Sequence, residues 1–164
     1  MMLEQVTSVV TDSAGAADAN APQSAPRLLV IDDDHLHRLI ICRIAARAGY
    51  LPTEAASYEE AAKLTREAVF DCITLDLSLC EHAGVEMLRH LWSLGCKTPI
   101  IIISGCDPTI AQETAHFARS LKLNVGEPVP KPVDLALLRY SLERLRAQRE
   151  EVPATHDVIQ PHAA

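Results

Sequence analysis

Cys72-Ile73-Thr74-Leu75-Asp76-Leu77-Ser78 decides the reading of this chain, because a short apolar run stops there on a single carboxylate. Such a run fits a strand buried on both faces of a parallel sheet, and in open α/β sheets ligands gather at the carboxyl ends of the strands. Asp76 stands at such an end and is the candidate reactive group. Three other runs finish in the same manner: Leu28 to Ile31 on Asp32, Asp33 and Asp34, Ile100 to Ile103 on Ser104-Gly105, and a weaker run from Val125 to Val129 close to Lys131. Acids, a hydroxyl and an ammonium are therefore expected along one edge of one sheet.

Between these runs the sequence alternates with helical patterns. Arg27 to Ile31 reads as the first strand. The helix from His35 to Ala48 follows, with Leu36, Ile40, Ile44 and Ala48 inward at four-residue spacing and Gly49 as its stop. After a short strand from Leu51 to Ala55, the capping box of Ser57 and Glu60 opens a helix from Tyr58 to Ala68, with Leu64 and Ala68 inward. Strand three is Cys72 to Leu75. A third helix from about Gly84 to Leu94, with Val85, Leu88 and Trp92 on one side, ends at Gly95, and Pro99 opens strand four. Asp107-Pro108 pairs an N-cap with proline in the first helical position, starting a helix that reaches Leu123 through Ile110, Phe117 and Leu121. Gly126, Pro128 and Pro130 make the fifth strand a poor one, suited to a sheet edge. Asp134 then caps a last helix with Leu135, Leu138, Leu142 and Leu145 as its apolar stripe, and Arg139, Arg144, Arg146 and Arg149 away from it.

Five strands alternating with five helices predict a doubly wound α/β domain with a parallel sheet in the order 2-1-3-4-5, the flavodoxin-like arrangement. That order sets the ends of strands one and three side by side, making neighbours of Asp32, Asp33 and Asp76. At 164 residues the chain suits one such domain, over 27–149, with disordered tails at 1–26 and 150–164. The net charge of −7 resides mostly in those tails, and 27–149 holds sixteen acids against fifteen bases, which disfavours a nucleic-acid binder. The five cysteines, at 42, 72, 80, 96 and 106, form no C-x-x-C pair and suit reduced thiols. With no apolar stretch long enough to span a bilayer and no signal-peptide pattern, a cytoplasmic protein with no membrane partner is expected.

Carboxylates packed together repel one another unless a cation neutralises them. Mg²⁺ is the natural guest, since it prefers oxygen ligands and is usually held by one or two carboxylates plus a phosphate, and no His/Cys set has zinc spacing. With the metal and Lys131 drawing charge from phosphoryl oxygens, a free carboxylate oxygen of Asp76 can attack phosphorus to give an aspartyl phosphate. Ser104 and Lys131 can then donate hydrogen bonds to the bound group. Cys80 and Cys106 lie just past active-edge strand ends, where a redox gate is conceivable, although a free cysteine is more often a small apolar filler.

The set Val30-Ile31-Asp32-Asp33-Asp34, Leu75-Asp76-Leu77 with Gly84 eight residues on, Ile103-Ser104-Gly105 and Lys131-Pro132 resembles the receiver domain of two-component response regulators. The resemblance covers 27–149 and implies a chemotaxis-receiver-like fold with Asp76 as phosphoacceptor. It further implies Asp33 as a direct magnesium ligand, Asp32 acting through water, Ser78 offering its backbone carbonyl to the metal, Ser104 as switch hydroxyl and Lys131 as phosphate-binding lysine. Such domains are not enzymes in the ordinary sense. They take phosphate from a sensor histidine kinase or a phosphotransfer protein and act as monomers or homodimers on protein targets.

Departures from the common pattern are Leu79 for methionine, Cys80 for proline, and Pro128 where many receivers carry a rotating aromatic. The long stretch from Ser104 to Lys131 is similar to a long-fourth-helix variant attached to cyclic-dinucleotide output domains, yet a stand-alone regulator is expected here. Two other function classes compete with the phosphoacceptor. An aspartate-nucleophile phosphohydrolase would usually carry a second Asp two residues after the nucleophile, where this chain has Ser78. A phosphorylation-independent interaction module would be marked by loss of a site residue, and the core set is complete.

Overall fold

Runs of leucine and β-branched residues, favourable on a pleated and doubly covered surface, form the strands β1 (Arg27–Ile31), β3 (Cys72–Asp76) and β4 (Ile100–Ser104), of which β3 and β4 are buried along their whole length. In the computed structural model, which describes residues 25–78 and 83–151, the strands β2 (Leu51–Ala55) and β5 (Val129–Pro130) complete a five-stranded sheet in the order β2-β1-β3-β4-β5. All four pairings are parallel. This is the doubly wound, flavodoxin-like topology expected from the sequence. The register sets the site: Ile31 pairs with Leu75, Asp76 with Ile103 and Ser104 with Pro130, so Asp32 falls level with Asp76, and Lys131 follows directly on the far side of Ser104.

The helices α1 (His35–Arg47) and α5 (Leu135–Glu151) cover one face of the sheet, packing Ile41, Ile44, Ala45, Leu138 and Leu142 on Leu28, Val30, Ile101 and Ile103. On the other face α2 (Tyr58–Glu67), α3 (Ala83–Ser93) and α4 (Pro108–Ser120) pack on Leu29, Ile31, Ile73, Leu75, Ile100 and Ile102. Alternate strand residues thus feed two cores. Met87, Leu88 and Leu91 of α3 are almost fully buried, each contributing about 1.5–3 kcal/mol of transfer free energy.

Several helix faces differ from the sequence expectation. A strict spacing of four overshoots a helical turn by about 40° at each step, so the four residues from Leu36 to Ala48 cannot all face the sheet. Ile44 and Ala48 are buried as expected, but Leu36 is 61% exposed, and Ile41 and Ala45 complete the inward face. In α3 Leu88 is buried as expected, together with Met87 and Leu91, while Trp92 is exposed, and in the first turn of α5 Leu135 is exposed. In α2 the fully buried positions are Ala61 and Ala62, with Leu64 and Ala68 only partly covered. Helix α4 stops at Ser120, short of Leu123, because Lys122 turns the chain at φ 63; its inward residues are Ala111, Ala115 and Ala118, while Ile110 faces solvent.

The predicted fifth strand shrinks to Val129–Pro130 at the sheet edge, with Val125 making an isolated bridge to Ile100. Gly49 does end α1, at φ 86. Arg146, expected away from the core, instead lies against Gly49 and donates to the carbonyl of Ala48 at 3.1 Å, a cation placed on the negative end of the helix. Helix α5 runs to Glu151, and most of both predicted tails, together with Leu79 and Cys80, lies outside the described residues.

Candidate functional site

The two buried carboxylates at the ends of β1 and β3 are held in the same way. Asp32 accepts the backbone N–H of Asp34 at Oδ1 (2.8 Å), and Asp76 accepts the N–H of Ser78 at Oδ1 (2.9 Å). Their Oδ2 atoms share one cation, the ammonium of Lys131, at 3.0 Å from Asp32 and 2.8 Å from Asp76. With 1% and 2% of their surface exposed, both would be costly to ionise without that partner. Burial alone would push the Lys131 pKa down, but the hydrogen bonds and charges of Asp76 and Asp32 outweigh it and hold the ammonium above its ordinary value.

Each oxygen of Asp76 therefore carries a hydrogen bond, where the sequence reading left one free; a carboxylate oxygen still has a second lone pair for an incoming group. Asp33 sits exposed beside them. Asp34, third in the acidic run, is instead the N-cap of α1, accepting the N–H of His37 at 2.9 Å, and that bond lowers its pKa. Ser104 is buried at the end of β4, where its carbonyl accepts the Lys131 N–H at 2.8 Å. Its hydroxyl accepts the N–H of Cys106 at 3.1 Å and shares a hydrogen bond with the Cys106 thiol at 2.7 Å. The peptide bond between Lys131 and Pro132 is cis.

Two neighbours of the site, His37 and Arg38, were missed by the sequence reading, and Gly84 was named there only by its spacing from Asp76. His37, considered there only as a poor zinc ligand, has Nδ1 3.0 Å from the Lys131 ammonium. Arg38 spans the β1–α1 turn, donating to the carbonyls of Asp32 (2.8 Å) and Asp33 (3.1 Å) and to Glu54 (3.2 Å). Gly84 sits against the turn after β3, where an added Cβ would come within 2.9 Å of Leu77 Cα and 3.1 Å of Leu77 O. The spacing of eight from Asp76 was a visible signal for Gly84. For His37 the only signal was the Asp34 cap, which fixes where α1 begins.

The donor set suits a hard dication. Ligand oxygens of Asp32, Asp33 and Asp76 all lie within 4.8 Å of one another, and two of the three carboxylates share the Lys131 ammonium. The all-oxygen chemistry of this set matches Mg²⁺ rather than zinc. Among the described residues no helix is long and apolar enough to cross a membrane.

The response regulator receiver domain, as a family, matches residues 28–143. The chain belongs to that family. As a receiver it is similar to the transcriptional regulatory protein ZraR of Salmonella typhimurium, 31% identical over 127 residues, which cover 77% of this chain and 28% of that protein. It is also similar to the Regulator of RpoS of Escherichia coli, 26% identical over 119 residues covering 72% of this chain and 34% of that protein. The receiver therefore corresponds to only about a third or less of these relatives. Among solved structures it resembles a response regulator from Colwellia psychrerythraea, with TM-score 0.67 and 26% identity, over 76% of this chain and 99% of that one. A CheY-like receiver domain protein from Methanospirillum hungatei aligns with TM-score 0.65 and 25% identity, over 79% of this chain and 100% of that one. Receivers of this family work in two-component systems, where phosphorylation and magnesium binding are typical and histidine kinases or phosphotransfer proteins are the implied partners.

Proposed function

We propose that this receiver accepts a phosphoryl group on Asp76 from a histidine kinase or phosphotransfer protein in the cytoplasm and converts it into a changed protein-binding surface. The observation that carries this reading is the single ammonium of Lys131 held between Asp32 and Asp76, with Ser104 on the adjoining strand end. In the transfer an oxygen of Asp76 forms a bond to phosphorus as the P–N bond of the donor phosphohistidine breaks, and the departing imidazole keeps the electron pair and takes a proton.

Lys131 moves one hydrogen bond from the Asp76 oxygen to a phosphoryl oxygen, and Ser104 turns its hydroxyl to another. Asp33 and Asp76 would hold Mg²⁺ directly, with the Ser78 carbonyl as a third protein ligand and Asp32 acting through water. Bound there, the ion supplies charge neutralisation for the phosphoryl oxygens. The receiver domain acting in this way is 27–149, with α5 continuing to Glu151.

Mass spectrometry of the intact protein after incubation with acetyl phosphate and Mg²⁺ tests the reading. The wild type should gain one base-labile phosphoryl group, and Asp76→Asn, which keeps the shape but removes the nucleophile, should gain none. Phosphoryl mass on the same peptide of Asp76→Asn would overturn the assignment. Asp33→Ala should raise the magnesium concentration needed by about tenfold or more, since Mg²⁺ is held by few protein oxygens; an unchanged dependence removes Asp33 from the ligand set.

A further inference from the structure

Lys131 has three N–H donors and three acceptors: Asp76 Oδ2 at 2.8 Å, Asp32 Oδ2 at 3.0 Å and His37 Nδ1 at 3.0 Å. The first two belong to the carboxylates that the metal and the phosphoryl group also claim. The third does not. Since an ammonium has no lone pair, the contact requires His37 Nδ1 to be the acceptor, with the ring proton on Nε2.

We infer that His37 is a positioning residue for Lys131: its imidazole tethers the ammonium beside Asp76 while the carboxylate contacts are being surrendered to the incoming phosphoryl group. The inference rests on the phosphoacceptor reading above and adds a residue to it. A lysine head on a four-carbon stem is mobile, and ordering it costs rotamer entropy that a standing acceptor removes before the donor arrives. His37 is well placed to be that acceptor. Its own backbone N–H is fixed by the Asp34 cap at 2.9 Å. The adjoining Arg38 pins the carbonyls of Asp32 and Asp33, so the imidazole is carried by a braced turn. Its side chain is 42% exposed, so replacing it need not disturb a core.

Two substitutions separate the acceptor from the bulk of the ring. His37→Leu removes the acceptor, while His37→Asn places an amide oxygen close to where Nδ1 stands. With saturating Mg²⁺ and acetyl phosphate, His37→Leu should slow phosphorylation of Asp76 about tenfold and His37→Asn should return it to within about twofold, the scale of one charge-assisted hydrogen bond lost or kept. Independently of any phosphoryl donor, the ¹⁵N-detected Lys131 ammonium signal should be ordered in the wild type and His37→Asn and broadened in His37→Leu. Equal rates and equal ammonium signals in wild type and His37→Leu overturn the inference, as does a His37→Asn variant as slow as His37→Leu. If the wild type gains no phosphoryl group, the phosphoacceptor reading fails, and the ammonium signal alone then decides whether His37 positions Lys131.

Discussion

The Ser104 hydroxyl and the Cys106 thiol lie 2.7 Å apart, and the same hydroxyl accepts the Cys106 backbone N–H at 3.1 Å. The group proposed to bind a phosphoryl oxygen is thus engaged by its own loop, and must exchange the thiol for the phosphoryl group. Cys106→Ala removes the competing side chain and leaves the backbone contact. Affinity for beryllofluoride with Mg²⁺, a phosphoryl mimic, should then rise about threefold, the size of one weak hydrogen bond released. Titration calorimetry reads this directly, and an affinity equal to wild type would show that the thiol does not restrain Ser104. A thiol-blocking reagent extends the test to the conceived redox gate: full labelling of both Cys80 and Cys106 with no change in phosphorylation rate would exclude it.

Gly84 is required by space rather than by an unusual φ. A Cβ there meets the backbone of Leu77 at 2.9 and 3.1 Å and the carbonyl of Asp76 at 3.3 Å, and backbone cannot yield as a side-chain tip can. Gly84→Ala should therefore push α3 away from the turn that holds Asp76 and cost about 1–3 kcal/mol, as overpacking of a close contact does. The urea midpoint should fall while the slope of the transition stays the same. Unaltered stability would mean that the start of α3 can move freely relative to Leu77.

The strand ends were legible because they rest on contiguous residues: apolar runs stopping on Asp32, Asp76 and Ser104 need no knowledge of rotation about an axis. The alternation of elements indicated the doubly wound class, and the order 2-1-3-4-5, one of two common in that class, delivered the cluster of Asp32, Asp33 and Asp76. Helix faces were harder, since the choice between Leu36 and Ile41, or between Trp92 and Leu91, turns on about one residue of rotation, and leucine or tryptophan carries more apparent weight than the alanines that α4 in fact buries. The contact of His37 with Lys131 joins positions 94 residues apart and depends on that same rotation. Cys106 was legible as a neighbour of the site, but its bond to Ser104 depends on the bend of a loop.

Stability should fall on the alkaline side as buried acids hold protons that the unfolded chain releases. Burial pushes the Cys72 thiol up to about 12 and the Cys42 thiol up to about 11, and burial also raises Tyr50, whose hydroxyl donates to the carbonyl of Leu142 at 3.1 Å. These acids stay protonated in the folded chain at pH values where the unfolded chain has released them, so the unfolded state binds fewer protons and stability declines as pH rises. Their contribution is complete below the ordinary thiol value near 9 and is lost progressively toward 11 and 12. Cys72→Ala should show lower stability at neutral pH from the lost packing but a shallower decline between pH 9 and 11. Urea midpoints measured across that range check it, and parallel curves for the two proteins would mean that Cys72 is not a source of the slope.

Output should pass through backbone rather than a swinging ring. Phosphate on Asp76 would draw in the Ser104 hydroxyl and Lys131, and these are joined across the edge of the sheet by the bond from Lys131 N–H to Ser104 O at 2.8 Å. Both loops must therefore move together. Pro128, half-buried before the two-residue β5, has a fixed φ and no aromatic ring to turn inward. The displacement then falls on Gly105 to Asp107, whose carboxylate caps α4 by accepting the Thr109 N–H at 2.8 Å, and so on α4 itself. That helix meets the sheet through the small side chains of Ala111, Ala115 and Ala118, and a smooth alanine face offers less resistance to sliding than interlocked leucines. Hydrogen exchange with and without beryllofluoride should accordingly change protection over residues 104–125 and leave α2, from Tyr58 to Glu67, nearly constant. A change confined to α2 would place the responsive surface on the opposite edge of the sheet and rule out α4 as the moving part.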